Sequence, residues 1–290
     1  LRRKVLTVLA ETIDEIGKHK RLGGPAYYSS LTLLSLGAEF DALITGSVMR
    51  AVLEYSGYAV NTFCDHPTVF RFVSTEPRLL RLLNRCFSNI RGLPSEDYEA
   101  ALISLTMGEA PLTDLDTVAE HAETLVIDAQ GFVRDIGEDG IVFNNKELAA
   151  RLFQAAADLQ ERGTTVVIKA SHDELPRPRF VEEFIESRGI LIVTRGSGSV
   201  TLSTKLGCWL TSPPRVIGDP TGAGDVMLAA LTAYLASGHD IRHSLLRGVA
   251  AGSIRLAKKE PPWILWSEIE SLARRLRLVG CDCIGDSSYV

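Results

Sequence analysis

Apolar residues along this chain gather into short continuous runs with little polar alternation. Residues 4–10 (KVLTVLA), 41–48 (DALITGSV), 124–130 (TLVIDAQ), 164–171 (TTVVIKAS) and 190–196 (ILIVTRG) each read as strands buried on both faces. Between them lie amphipathic stretches at helical spacing, such as 147–163 (ELAARLFQAAADLQERG) and 179–189 (RFVEEFIESRG), each closing on a glycine. Strand and helix alternating in this way predict an α/β fold, a doubly wound and mainly parallel sheet with helices on both faces. Two regions break the rhythm. Residues 57–85 contain TVFRFVS and RLLRLLN, which alternate like antiparallel strands, and residues 258–266 (KKEPPWILW) are rich in tryptophan and proline. No linker, low-complexity stretch or internal repeat divides the chain, so the expectation is one domain over 1–290 with a small β flap formed mainly by about 57–85.

Composition narrows the partners. With 46% apolar residues, 23% charged residues and a net charge of −5, the chain reads as a globular protein with no basic stripe for a nucleic acid. No apolar run approaches the roughly 20 residues that span a bilayer, and the acids right after VLTVLA argue for a buried first strand over a signal peptide. Most of the 31 basic residues are arginine, a composition that fits genome bias or a hot habitat. The five cysteines are odd in number and scattered, with no second cluster to complete a zinc site. They read as inert thiols of a cytoplasmic protein.

The chemistry concentrates in residues 218–238, GDPTGAGDVMLAALTAYLASG. Gly222, Ala223 and Gly224 precede a helix on which Met227, Leu231, Tyr234 and Leu235 share a face. Glycines at a helix start leave backbone N–H groups free to converge on an anion, and the positive end of the helix dipole adds attraction. Asp225 beside them has an ordinary reading, since acids favour a first helical turn. It also has a chemical one: if the anion is a phosphoryl group in transit, the N–H groups stabilise its charge while the carboxylate takes the proton of the attacking hydroxyl. On these residues alone, phosphoryl transfer and simple anion binding both stand. The turn is neither a Walker P-loop nor a dinucleotide fingerprint.

The run Asp219-Pro220-Thr221-Gly222-Ala223-Gly224-Asp225 resembles the D-T-x-G-A-G-D signature of the ribokinase (phosphofructokinase B, PfkB) carbohydrate kinases. Residues 21–26 (RLGGPA) are similar to that family's di-glycine motif, and Asp14, read here as closing the first strand, matches its substrate aspartate. Residues 169–174 (KASHDE) resemble its N-x-x-E segment, and Thr194-Arg195-Gly196 its nucleotide turn. The run 128–134 (DAQGFVR) resembles the subgroup that acts on inositol and related cyclic polyols.

The resemblance implies a ribokinase-like fold with a β lid, and ATP and Mg²⁺ as cosubstrate and metal. Asp225 would be the base and Gly222, Ala223 and Gly224 the anion hole. Asp14, Gly23, Gly24, Gln130 and Arg134 would meet the acceptor, Thr194, Arg195, Gly196 and Thr221 the nucleotide, and Glu174 the metal. The implied activity is phosphorylation of a small polyol or sugar, with myo-inositol favoured. A nucleoside or ribose-type kinase, its base pocket built from Phe70 and Phe72, and a non-catalytic sugar- or nucleotide-binding sensor are the alternatives. The protein would be a monomer or small homo-oligomer.

The chain departs from the pattern in places. Tyr28 stands where many members carry asparagine, Ser171 replaces the asparagine of N-x-x-E, and only residues 15–22 separate Asp14 from the di-glycine, so the lid is expected to be small. KKEPPW lacks the Gly-Ala that helps hold a monovalent cation, so no potassium activation is expected. Asn144-Asn145-Lys146-Glu147, before a helix, reads as a decoy of N-x-x-E, and Trp263 and Trp266 read as packing residues.

Overall fold

Strands with apolar residues on both faces have to be covered on both sides. The computed structural model, which describes residues 4–75, 78–258 and 263–281, does this with helices above and below one large sheet. The chain begins with β1 (Lys4–Leu9), the hairpin β2 (Thr12–Ile16) and β3 (His19–Gly23), α1 (Gly24–Ser35), β4 (Glu39–Thr45), α2 (Val48–Tyr55) and β5 (Val60–Cys64). It continues through β6 (Thr68–Thr75), β7 (Arg78–Asn84), β8 (Tyr98–Ser104), α3 (Asp114–Ala119), β9 (Ala122–Asp128) and the short α4 (Gln130–Val133). The hairpin β10 (Arg134–Ile136) and β11 (Val142–Asn144), α5 (Lys146–Glu161), β12 (Thr165–Ser171), α6 (Pro178–Glu186) and β13 (Ile190–Thr194) follow. The described chain closes with β14 (Val200–Thr204), β15 (Gly207–Thr211), α7 (Ala223–Ala236), α8 (Ile241–Ala257), α9 (Trp266–Ala273) and β16 (Val279–Cys281).

The main sheet has ten strands in the order β16-β15-β14-β13-β12-β9-β8-β1-β4-β5. The seven from β13 to β5 run parallel, and the last three at the other edge are antiparallel. Successive residues of one strand feed opposite cores. Val5 and Leu9 pack with α1, α7, α8 and α9, while Leu6 and Val8 pack with α3, α5 and α6. This explains why the strands show no polar alternation. All five strands expected from the apolar runs are present, and YEAALIS forms a further central one, β8. Asn145 caps α5, its side chain accepting the amides of Glu147 and Leu148, which accounts for the decoy motif as a helix start.

A second sheet of four strands, in the order β3-β2-β6-β7, stands over the C-terminal edge of the first. It differs from the flap read from the sequence in two ways. Residues 60–64 pair with β4 in the main sheet, and residues 12–23 supply half of the small one. Asp14 therefore lies mid-strand in β2 and not at the end of β1. Phe70 and Leu80 bury the inner face of this sheet against Met107.

The cysteines also differ from expectation. Cys64 is bonded to Cys86 and Cys208 to Cys281, and no free thiol remains among the described residues. The first bond joins the end of β5 to the chain just beyond β7; the second joins register partners on β15 and β16. Disulfides of this kind are carried by proteins of oxidising compartments and by intracellular proteins of hyperthermophiles. Cys283, and residues 259–262 of the Pro/Trp-rich run, lie outside the described residues. Trp266 stacks on Tyr234 with ring centroids 4.3 Å apart, as a packing residue would, and Trp263 is half exposed. No described helix is long and apolar enough to cross a membrane.

Candidate active site

In an open α/β sheet the carboxyl ends of the parallel strands face a crevice where side chains converge. Here that crevice is roofed by the small sheet and closed behind by the start of α7, forming a cleft of about 720 Å³. Of the residues singled out in the sequence, it is lined by Asp14, Gly24, Gln130, Arg134, Thr194, Gly196, Thr221, Gly222, Ala223, Gly224 and Asp225. Gly23, Arg195 and Glu174 are not among the lining residues. Gly23 packs behind Asp14, where an added β-carbon would lie 3.1 Å from the carboxylate Oδ2. Arg195 donates from Nη1 to the Thr201 hydroxyl at 3.3 Å, and its carbonyl closes the turn to Gly198. Glu174 is buried in a single 3-10 turn after β12, where its Oε2 accepts the Ser171 amide at 2.7 Å.

The cradle at α7 is fixed by one backbone conformation. Gly222 is the N-cap and has φ +76°, the left-handed region that favours glycine. A β-carbon there would also stand 2.3 Å from the ring of Tyr28. Tyr28 thus forms the floor under the turn, and it is held from behind by the buried Arg255, whose guanidinium lies 5.2 Å from its ring centroid. Asp225 occupies the first turn of α7, half-buried, and its carbonyl accepts the Ser29 hydroxyl of α1 at 3.2 Å.

Two lining residues carry charge that the sequence reading did not assign. Lys169, on β12, is buried, with Nζ 3.2 Å from Oδ1 of the equally buried Asp128 on β9. The parallel register makes them neighbours across 41 residues of chain, because Lys169 and Asp128 are Cα partners. A β-carbon on Gly224 would lie 3.6 Å from the Lys169 Nζ, so the ammonium sits directly beneath the cradle. Burial works against its charge, yet the carboxylates of Asp128, Glu174 and Asp225 more than compensate and raise its pKa above the usual lysine value. Lys169 is therefore a permanent cation at neutral pH, placed where negative charge would collect.

The remaining polar groups are positioned by nearby backbone. Asp128 Oδ1 accepts the Gln130 amide at 3.3 Å, turning Gln130 into the cleft. Arg134 donates from Nη1 to the Thr106 carbonyl at 3.1 Å. At the other end, beyond Thr194 and Gly196, the lining becomes apolar: Val200, Pro213, Pro214, Val216, Val249 and Leu256. The cleft thus combines the polar groups of Asp14, Gln130 and Arg134, the apolar Phe70 and Leu80 of the small sheet, the cradle at α7 and an apolar slot made of these six residues.

Comparison with known proteins agrees with this anatomy. Residues 178–261 match the model of the pfkB family of carbohydrate kinases. The chain is 30% identical over 258 residues, 82% of its length, to the bifunctional protein HldE of Halorhodospira halophila (strain DSM 244 / SL1), and spans 52% of that relative. Its fold is that of a ribokinase-family pyrophosphate-dependent kinase solved with a pyrophosphate analog and myo-inositol (TM-score 0.66, 18% identity, covering 92% of this chain and 99% of the other). A carbohydrate kinase from Agrobacterium tumefaciens (TM-score 0.64, 17% identity, covering 96% and 100%) has the same fold. So does phosphofructokinase-2 from Escherichia coli in its tetrameric inhibited form (TM-score 0.63, 16% identity, covering 95% and 99%). The fold is ribokinase-like α/β. The pfkB carbohydrate-kinase match covers residues 178–261, the part of the chain from α6 to α8 that includes the α7 cradle, and the chain spans about half the length of the curated relative it resembles.

Proposed function

We propose that this protein transfers the γ-phosphoryl group of ATP to a hydroxyl of a small polyol or sugar, with myo-inositol the favoured acceptor. The observation that carries the reading is the convergence of Asp225, the Gly222–Gly224 cradle and the Lys169 ammonium in one cleft with Asp14. In it, Asp14, Gln130 and Arg134 orient the acceptor, Gly24 lines the cleft beside them, and Gly23 leaves room for the Asp14 carboxylate from behind. Asp225 accepts the proton of the attacking hydroxyl as the bond to phosphorus forms. The amides from Gly222 to Gly224 and the Lys169 ammonium balance the charge on the transferred oxygens, an effect that grows in a cleft with little water.

The apolar slot favours a nucleotide donor. A base needs such a surface, whereas pyrophosphate does not. Thr194, Gly196 and Thr221 would surround the nucleotide, while Arg195, turned to Thr201, would hold the turn beside Gly196. Mg²⁺ also fits the donor set. This ion keeps several waters and takes one or two carboxylates plus substrate phosphates rather than an all-protein cage. Among the described residues, no group of three side-chain ligands lines the cleft; Cys64, Asp65 and His66 cluster outside it, with the Cys64 sulfur already held in the disulfide. Mg²⁺ would come with the phosphates and neutralise part of their charge, while the buried Glu174, whose Oε2 accepts the Ser171 amide, would act on it from behind the lining. ATP as donor supports a cytoplasmic setting, and the protein would act as a monomer or small homo-oligomer.

The test is ADP release with ATP and Mg²⁺ over myo-inositol, ribose, fructose, fructose phosphates and nucleosides, run beside Asp225→Asn and with pyrophosphate as the other donor. Turnover on myo-inositol that falls by about 10³-fold or more in Asp225→Asn supports the reading. Turnover with pyrophosphate alone would overturn the donor assignment, and turnover on nucleosides alone the acceptor assignment. Binding of both ligands without turnover would leave a sensor.

A further inference from the structure

Arg21 lies outside the machinery just described, yet it touches both halves of it. It sits on β3, directly across from Asp14 on β2, as that residue's register partner. One end of its guanidinium, Nη2, is 4.0 Å from Asp14 Oδ2. The other, Nη1, donates to Asp219 Oδ2 at 3.0 Å, across 198 residues of chain. Asp219 has its second oxygen engaged as well, for Oδ1 accepts the Thr221 amide at 2.9 Å. The residue after Thr221 is Gly222, whose left-handed backbone sets the cradle.

A continuous polar path therefore runs from the carboxylate of the acceptor compartment, through one guanidinium, to the turn that holds the phosphoryl group. The ion pair has weight at its far end. Partial burial pushes the Asp219 carboxyl up, but hydrogen bonds from Thr221 and then Arg21 outweigh it and hold its pKa below the usual carboxylate value. Arg21 Nε is itself buried and has no partner, so the guanidinium still has a donor to give when its surroundings change.

We infer that Arg21 is a positioning residue that couples the two substrates, so that occupancy of the acceptor compartment tightens the phosphate cradle and the reverse. The physical basis is competition for one cation. Hydroxyl groups that hydrogen-bond to Asp14 satisfy its lone pairs and weaken its hold on Arg21, which then bonds more fully to Asp219. Asp219 in turn fixes the amide of Thr221 and with it the turn into Gly222. Because coupling free energies are reciprocal, an anion on the cradle must favour the acceptor by the same factor. Lysine could supply the charge but not the planar fork that reaches two carboxylates at once.

The inference rests on the kinase reading above, and its test separates the two. Calorimetry would measure the Kd of myo-inositol, or of whichever panel member is turned over, with and without Mg²⁺–AMP-PNP. The proteins are wild type, Arg21→Gln, Arg21→Lys and Asp219→Asn, each confirmed folded by its thermal transition. In wild type the nucleotide should tighten acceptor binding by about 5-fold or more. In Arg21→Gln and Asp219→Asn the ratio should fall to about 1, with Arg21→Lys between, while acceptor affinity without nucleotide moves by less than about 3-fold. A merely structural role would lower the thermal transition and leave the ratio intact, which would overturn the inference. So would wild type that binds both ligands without coupling, or Arg21→Gln that loses the acceptor outright, since Arg21 would then be a direct ligand. Wild type that binds neither ligand overturns the kinase reading itself, and the coupling with it.

Discussion

The ring of Tyr28 occupies the space a side chain on Gly222 would need: a β-carbon there would stand 2.3 Å from the ring. The left-handed backbone of Gly222, φ +76°, imposes a second penalty on any other residue. Gly222→Ala is therefore expected to lose about 1–3 kcal/mol of stability from the backbone alone. Its turnover should fall by about 10²-fold as the cradle amides shift. Urea unfolding and initial rates on the same preparation check both. Unchanged stability would show that the ring gives way freely and that the turn is not fixed by it.

Lys169 is expected to act on rate more than on binding. Lys169→Met should lower kcat by about 10²–10³-fold with acceptor KM within a few-fold of wild type. It also strands the Asp128 carboxylate in a buried position, which costs about 3–5 kcal/mol when a buried pair is broken from one side. The double variant Lys169→Met/Asp128→Asn should recover much of that stability and none of the rate. Recovery of both would assign Lys169 to the fold alone.

Gln130 and Arg134 should behave in the opposite way. If they orient the acceptor through ground-state contacts, Gln130→Ala and Arg134→Ala raise acceptor KM by about 3- to 10-fold each and change kcat little, the size of one lost hydrogen bond. Steady-state kinetics at saturating ATP measures the split. A fall in kcat at unchanged KM would move these residues from the acceptor to the transferred group.

Glu270 gives a pH-dependent stability term. Its carboxylate on α9 accepts from Arg247 of α8 at 2.7 Å and from the Tyr234 hydroxyl of α7 at 2.9 Å. Partial burial raises its pKa, but these partners outweigh it and hold the value below normal. A depressed carboxyl stabilises the folded state above its unfolded pKa, about 4.3, and that contribution is lost as pH falls through the folded value. The Tm gap between wild type and Glu270→Gln should therefore be widest above about pH 5 and close in acid. Calorimetric scans from pH 3 to 8 follow it; a gap that widens in acid would contradict the sign.

What the sequence revealed depended on the range of the interaction. The strands β1, β4, β9, β12 and β13 were legible because burial on both faces writes a continuous apolar run, and the α7 cradle because glycine and acid sit side by side. Lys169 stood inside one of those runs, but its meaning depends on Asp128, and only the parallel pairing of β9 with β12 brings them together. The hairpin of β2 and β3 escaped notice for the opposite reason. Its strands are short and charged, and a two-residue Gly17-Lys18 loop was its main signal. With that hairpin unrecognised, Asp14 was attached to the first strand and the role of Arg21 had no geometry to rest on. Neither disulfide was legible, since each depends on pairing set by the whole fold.

The bond between Cys64 and Cys86 changes what a break in the backbone means. Two strands of the small sheet, β6 and β7, hang from the body of the protein as a covalent ring closed at that point. A protease that cuts anywhere inside the ring opens it but releases nothing. The two pieces remain one molecule until a reductant is added, and Phe70 and Leu80 stay tethered at the mouth of the cleft. A nicked protein of this kind would run at full length on a non-reducing gel and as two fragments on a reducing one.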